Sequence, residues 1–255
     1  VLYTTGMGSN YFSTIYTTMM IDKGAMSSGQ AFYVNKHSDS SLFQINNINN
    51  AVIEKLGLNS DEVIPYLYAV LNSSEYKEKY LNNLTKEVAR IPRLKNKCKY
   101  VKVGKELMDL HLNYEEVPVF KGVSIESKSN PSYEVKKMKF AKIRNSETGK
   151  LENDRSTVIF NTDITIRNIP EKAYEYVVNG RSAIEWIMDQ YQIKTDKKSG
   201  ITDNPNDFSE DPKYIFNLLL RIINVSVQTV DLVNSLPKLE IIEWSSKKSK
   251  KTFQK

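Results

Sequence analysis

Residues Ala173–Phe208, AYEYVVNGRSAIEWIMDQYQIKTDKKSGITDNPNDF, decide how this chain is organised. The aromatic segment that opens the stretch reads as a helix broken at Asn179-Gly180. A second helix follows, with Ile184, Ile187, Met188 and Tyr191 at helical spacing on one apolar face and Trp186 as a packed strut. Tyr174, Tyr176 and Trp186 lie among other apolar residues on helical faces, so they belong to a core and not to a set of stacking platforms. Beyond that helix, KTDKKSG forms a basic loop containing Gly200. The stretch carries no metal-ligand cluster, no nucleophile beside a base and no phosphate-cradling loop.

Working outward, Asp211-Pro212 is an N-cap followed by proline at the first helical position, which starts a helix that runs to about Leu236 and stops at Pro237. Its apolar positions, including Ile215, Leu219, Ile222, Ile223, Val230 and Val233, are broad enough to pack on two neighbours. Upstream, between Val117 and Ile169, the period shortens to two. Val158 and Phe160 alternate with Ile159, and Asn161-Thr162-Asp163 supplies a turn before Ile164 and Ile166, which predicts a β-hairpin. Tyr133 to Phe140 reads as a strand with Lys136, Lys137 and Lys139 interleaved. Arg144 to Ser156, RNSETGKLENDRS, reads as an exposed loop.

The first half is mostly helical. Asn59 with Glu62 makes a capping box, with Pro65 in the first turns, and Asn72 with Glu75 repeats the pattern. Tyr76, Tyr80, Leu81, Leu84 and Val88 then form one stripe up to Pro92, and Tyr100 to Tyr114 makes a further helix burying Val103, Leu107 and Leu110. Strands are expected at Val1–Thr5 and Gln30–Val34, with a Gly6-Met7-Gly8 turn after the first and a polar loop, SDSSLFQINNINN, from Ser38. The fold class is therefore α+β: a mixed helical block, a small β unit and a long C-terminal helix.

Composition narrows the function classes. The chain has 255 residues, 40% hydrophobic and 26% charged, which is ordinary for a soluble globular protein. It has no run of eighteen apolar residues, since Asn217, Arg221 and Asn224 interrupt Tyr214–Val227, so no membrane partner is expected. The single cysteine, Cys98, excludes an internal disulfide, suits a reducing cytoplasm and is expected to be buried. His37 and His111 stand far apart without carboxylates at ligand spacing, and His111 is expected to be packed and hydrogen-bonded. A formal charge of +6 is compatible with a phosphate-backbone partner. Part of that excess sits in KKSKKTFQK from Lys247, a solvated tail. The Val-Leu-Tyr start without Met fits an excised fragment.

Four segments occur in an order that resembles one known family: VLYTTGMGSNYFSTIYTTMM from Val1, IPYLYAVLNSSEYKEKYLNNLTKEVARIP from Ile64, KELMDLHLNYE from Lys105 and STVIFNTDITIRNIP from Ser156. With the Ala173–Phe208 stretch they are similar to the C-terminal DNA target-recognition domain of type ISP restriction–modification enzymes. These are single polypeptides joining nuclease, helicase, adenine methyltransferase and recognition domain. The family's Asn-Pro-Pro-aromatic methyltransferase motif, helicase motifs and nuclease carboxylate–lysine cluster are missing, which implies a non-catalytic piece of an enzyme. The resemblance implies a linker to the methyltransferase over residues 1–37, the recognition domain over 38–245 and a basic, disordered tail over 246–255. It implies double-stranded DNA and the upstream methyltransferase and helicase domains as partners. S-adenosylmethionine, ATP and magnesium are implied as cofactors of the parent, with none bound by this chain.

Within that frame, Lys136, Lys137, Lys139, Lys194, Lys197 and Lys198 are the expected phosphate contacts, joined by Ser199 beside Gly200. Arg181 either meets a phosphate or braces its loop. Arg144, Asn153 and Arg155 are the expected base readers, because arginine pairs with guanine edges and asparagine with adenine. The rival reading is a protein-interaction module that docks the methyltransferase, and a third is the recognition domain of a single-chain modification–cleavage enzyme without helicase.

Overall fold

Buried apolar side chains sort into two clusters, and one long helix contributes to both. The computed structural model describes residues 1–22, 24–38 and 41–243, and of residues 35–38 and 41–46 only the backbone. The basic tail expected at 246–255 lies outside the described residues. The chain opens with a three-stranded antiparallel sheet of order β2-β1-β3, made of β1 (Leu2–Thr4), β2 (Thr14–Tyr16) and β3 (Gln30–Phe32). A hairpin follows, β4 (Asn35–Ser38) against β5 (Ser41–Asn46), where a polar loop was expected. The polar flanks hid the Leu42-Phe43-Gln44-Ile45 segment, whose strand character depends on having β4 as a partner.

Helices α1 (Asn50–Leu56), α2 (Ser60–Asn72), α3 (Ser74–Leu84) and α4 (Lys97–Leu112) form the helical block. The Glu62 carboxylate accepts the Asn59 amide at 2.8 Å, so the expected box starts α2. The next cap falls on Ser73 and not on Asn72, whose buried amide instead donates to the Tyr68 carbonyl at 3.0 Å. The helix α3 also stops short of Pro92. It kinks at Tyr80 and ends at Leu84, leaving Leu81 and Val88 exposed. The low-propensity run Asn82-Asn83 sits at this end, and the Gly8 amide takes up the Thr85 carbonyl at 2.8 Å. Gly104 lets α4 lie hard against α2, because a Cβ there would fall 1.9 Å from the Pro65 carbonyl oxygen. Cys98 is exposed, contrary to expectation, since it lies opposite the buried Tyr100–Gly104–Leu107 face of α4.

The second unit is a four-stranded antiparallel sheet of order β6-β9-β8-β7, from β6 (Ser124–Ser127), β7 (Lys139–Arg144), β8 (Leu151–Ile159) and β9 (Ile164–Arg167). The expected hairpin is present: Val158 pairs with Ile166, and Asn161 Oδ1 accepts the amides of Asp163 and Ile164, both at 2.8 Å. A 3-10 turn at Glu171–Tyr174 is all that forms of the expected aromatic helix. Asn179-Gly180 instead closes a two-residue hairpin between β10 (Val177–Val178) and β11 (Arg181–Ser182). Both turn residues have positive φ, 49° and 81°, as this tight hairpin turn demands. The helix α5 (Ala183–Gln190) is capped by Ser182 and Glu185, then β12 (Lys194–Thr195) and β13 (Thr202–Asp203) make a small hairpin.

The closing helix α6 (Tyr214–Asn234) begins after Asp211, whose side chain accepts the Lys213 amide at 2.9 Å. It is long and apolar enough to cross a membrane by length and composition, yet its apolar faces are already occupied. Ile215 to Ile223 cover the β7–β9 core, and Leu232 and Val233 join the helical block. Arg221 and Asn224 hold the incoming chain by donating to the carbonyls of Val117 and Pro118 at 3.1 and 2.8 Å.

His111 sits where the two clusters meet. Tyr68 Oη lies 2.6 Å from its Nδ1, Thr229 Oγ1 lies 2.8 Å from its Nε2, and the Tyr176 ring stacks on it at 5.1 Å. Burial pulls its pKa down to about 4. Unfolded chains protonate histidine near pH 6.5, so this site leaves stability unchanged above about pH 7 and erodes it as pH falls towards 4, by up to about 3 kcal/mol. His111→Gln should remove that part of the acid sensitivity in equilibrium unfolding measured across pH 4–7. An unchanged pH profile would show that the ring is not the sensitive group.

Candidate nucleic-acid interface

Two hairpins project from the β unit, and both are closed by the same turn. At the first, Asn145 Oδ1 accepts the amides of Glu147 and Thr148 at 2.9 and 3.0 Å, and Gly149, with φ +67°, returns its amide to the Asn145 carbonyl at 2.9 Å. At the second, Asp196 Oδ1 accepts the amides of Lys198 and Ser199 at 2.9 and 2.7 Å, and Gly200, with φ +69°, bonds the Asp196 carbonyl at 2.9 Å. Hydrogen bonds from Ser199 hold the Asp196 carboxyl below its ordinary pKa. The shared pattern, Asn or Asp followed four residues later by glycine, was present in the sequence and marks both hairpins.

The first hairpin is a ribbon. Its register jumps from Phe140 opposite Val158 to Ala141 opposite Asp154, so Arg155, Ser156 and Thr157 bulge out of β8. Asp154 fixes the bulge by accepting the Ser156 hydroxyl at 2.6 Å and amide at 2.9 Å, and the hydroxyl bond is the main cause of its lowered pKa. Beyond the bulge, Lys142 faces Asn153, Ile143 faces Glu152 and Arg144 faces Leu151. Side chains alternate along a strand. One face therefore carries Lys142, Arg144, Leu151 and Asn153, and the other carries Ala141, Ile143, Glu152 and Asp154. Two contacts agree with this: Lys142 Nζ donates to Asn153 Oδ1 at 2.7 Å, and Asn145 donates to Glu152 at 3.0 Å on the other side. One face is cationic and the other acidic.

The expected base readers thus separate. Arg144 and Asn153 share the cationic face, lying on strands and not in a loop, and Arg144 also donates to the Gly149 carbonyl at 3.0 Å. Arg155 turns back to the body, ion-paired with Glu185 at 2.9 Å and lying over the Tyr174 ring at 4.7 Å. Lys142 joins the face unforeseen, because its position became visible only with the strand register.

Lys136, Lys137 and Lys139 are exposed, but Tyr133–Met138 is not a strand. Side-chain amides take its backbone bonds: Asn206 donates to and accepts from Val135, each at 2.9 Å, and Asn161 donates to the carbonyls of Ser132 and Glu134. Val135 and Met138 go to the core between the lysines. The Ile193 amide bonds the Lys136 carbonyl at 3.0 Å, which brings this segment beside Lys194. Lys197 and Lys198 sit exposed at the tip of the second hairpin, while the Ser199 hydroxyl is committed to Asp196 at 2.9 Å. Asp189 lies 3.2 Å from Arg181 and 3.9 Å from Lys194, and the Arg181 guanidinium covers the Trp186 ring at 5.4 Å. This is the bracing arrangement for Arg181. Trp186 is half-buried and donates its indole N–H to the Val178 carbonyl at 2.8 Å.

Cofactor sites have little to build on. Among the described residues no three His, Cys, Asp or Glu side chains come together as a metal set. Gly6–Gly8 joins two strands and precedes no helix N-terminus, so it does not fit a phosphate cradle.

The model of the Type ISP C-terminal specificity domain matches residues 1–218. Two similar solved structures are a nuclease-deletion mutant of the Type ISP restriction–modification enzyme LlaGI in complex with a DNA substrate mimic, and the ATP-dependent Type ISP restriction–modification enzyme LlaBIII bound to DNA. The first is 45% identical over 95% of this chain with a TM-score of 0.80, the second 43% identical over 94% with a TM-score of 0.82. This chain spans 21% and 16% of those chains. The DrdV–DNA complex, 23% identical over 94% of this chain and 25% of its own with a TM-score of 0.78, shares the fold. No curated protein sequence matches.

Proposed function

The chain belongs to the family of Type ISP C-terminal specificity domains, and on that premise we propose that it recognises a short sequence in double-stranded DNA for a restriction–modification enzyme that methylates adenine and cleaves DNA. The observation that carries this reading is the two-faced β7–β8 ribbon. A two-stranded ribbon fits the major groove, and a cationic face meets the flanking phosphates with attraction where an acidic face meets repulsion. Lys142, Arg144 and Asn153 supply the donors and acceptors for base edges. Lys136, Lys137, Lys139, Lys197 and Lys198 are exposed cations suited to phosphates. Residues 1–37 would connect this unit to the methyltransferase, and S-adenosylmethionine, ATP and magnesium would act at sites elsewhere in the polypeptide, in the cytoplasm. The chain itself would recognise and not catalyse.

Neutralising Lys194, Lys197 and Lys198 together should weaken binding to cognate and random duplexes by similar factors. The slope of log affinity against log salt should fall by roughly two to three units, the lower value because Lys194 already neighbours Asp189. Titrations at several salt concentrations read both quantities. Loss of cognate preference with random-duplex affinity intact would reverse the roles assigned to lysines and ribbon.

The docking reading has one observation of its own. An apolar cleft of about 390 Å³ runs past Leu2, Phe32, Tyr33 and Ile91, with Phe32 and Tyr33 exposed beside it. Association through that cleft would respond little to salt, whereas DNA binding responds steeply.

A further inference from the structure

The cationic face of the ribbon holds one apolar side chain. Leu151 stands directly opposite Arg144, two residues from Asn153, and is 63% exposed. Its surroundings on that face are donors and acceptors only. Base edges in the major groove are likewise donors and acceptors, with one exception: the C5-methyl group of thymine is their sole apolar feature. A leucine pressed on a polar edge would strip water from groups it cannot hydrogen-bond, which is unfavourable. Pressed on a methyl, it gains contact and removes apolar surface from both sides. Resting on the proposal that this face lies in the major groove, we infer that Leu151 reads a thymine through its C5-methyl group. Residues two apart on a strand are separated by about 6.7 Å, so Asn153 lies within about two base-pair steps of that thymine.

The test uses the polypeptide that carries this chain. Duplexes retained from a randomised pool first define its preferred site, and each thymine in that site is then replaced singly by uracil, which lacks only the methyl. One replacement should lower affinity about fourfold, the value of one buried methyl-sized group. Leu151→Ala should bind the thymine and uracil duplexes alike, with an unchanged melting temperature because the side chain is exposed. Equal affinities for all uracil duplexes, a preferred site without A·T pairs, or Leu151→Ala still telling thymine from uracil would overturn the inference. A polypeptide that still prefers its site in those cases leaves DNA reading intact, whereas one with no preference among duplexes overturns both.

Discussion

Removing the β7–β8 ribbon should abolish sequence preference while leaving a folded domain. Ala141 and Asp154 are opposite one another, so residues Lys142–Asn153 can be replaced by Asn-Gly, a two-residue turn that closes an antiparallel pair. None of the excised residues is buried, and the core partners Val158, Phe160, Ile164 and Ile166 stay in place. The melting temperature should therefore change little. Affinity for the cognate duplex should fall to that for random DNA, a loss of at least about a thousandfold, since specific sites exceed non-specific ones by that factor or more. Competition between labelled cognate duplex and random DNA measures it. A shortened chain that kept its preference would place base reading elsewhere, with the second hairpin as the next region to examine.

The largest effect on stability is expected at Phe160. Its side chain is fully buried and meets Phe216 of α6 edge to face at 5.3 Å. Phe160→Ala should cost about 3–5 kcal/mol, because the ring's contacts vanish and the surrounding sheet and helix cannot collapse into the space. For a chain of this size that lowers Tm by roughly 10 °C. Since α6 runs through both clusters, unfolding should remain a single transition in calorimetry. Two separated transitions would show that the helical block and the β unit hold together independently of α6. An unchanged Tm would mean that the site repacks.

Much of this architecture is legible in the sequence. The capping box at Asn59 and Glu62, the turn at Asn161-Thr162-Asp163 and the broad apolar surface of α6 all act through residues close in sequence, so local chemistry determined them. His111 also followed from its helical position, although its partners Tyr68, Thr229 and Tyr176 come from three other segments. The helix expected before Asn179-Gly180 failed for a different reason. Valine pairs and aromatics serve either secondary structure, and here a tertiary contact decides: Gly180 lies so close to the Tyr11 ring that a Cβ would come within 2.6 Å, and Ser13 accepts the Asn179 amide at 2.8 Å. These contacts hold the segment as a tight hairpin against the N-terminal strands.

The proposed DNA-facing surface divides the same way. Composition and order of residues alone placed lysines near 136–139 and 194–198 and located Arg144, Asn153 and Arg155 in one stretch. Which of them can act together was a matter of register. The bulge at Arg155–Thr157 turns Arg155 inward to Glu185 and leaves Arg144, Asn153 and Lys142 on one side of the ribbon. A one-residue change in pairing exchanges the faces of a strand, and pairing depends on Ser156 and Asp154 fixing the bulge. Local sequence therefore carried most of the helices, the Asn161 turn and the places where positive charge accumulates. Which charges share a face follows only from the folded ribbon, because it depends on the pairing register of β7 with β8 and on the ion pair that draws Arg155 to Glu185, thirty residues away.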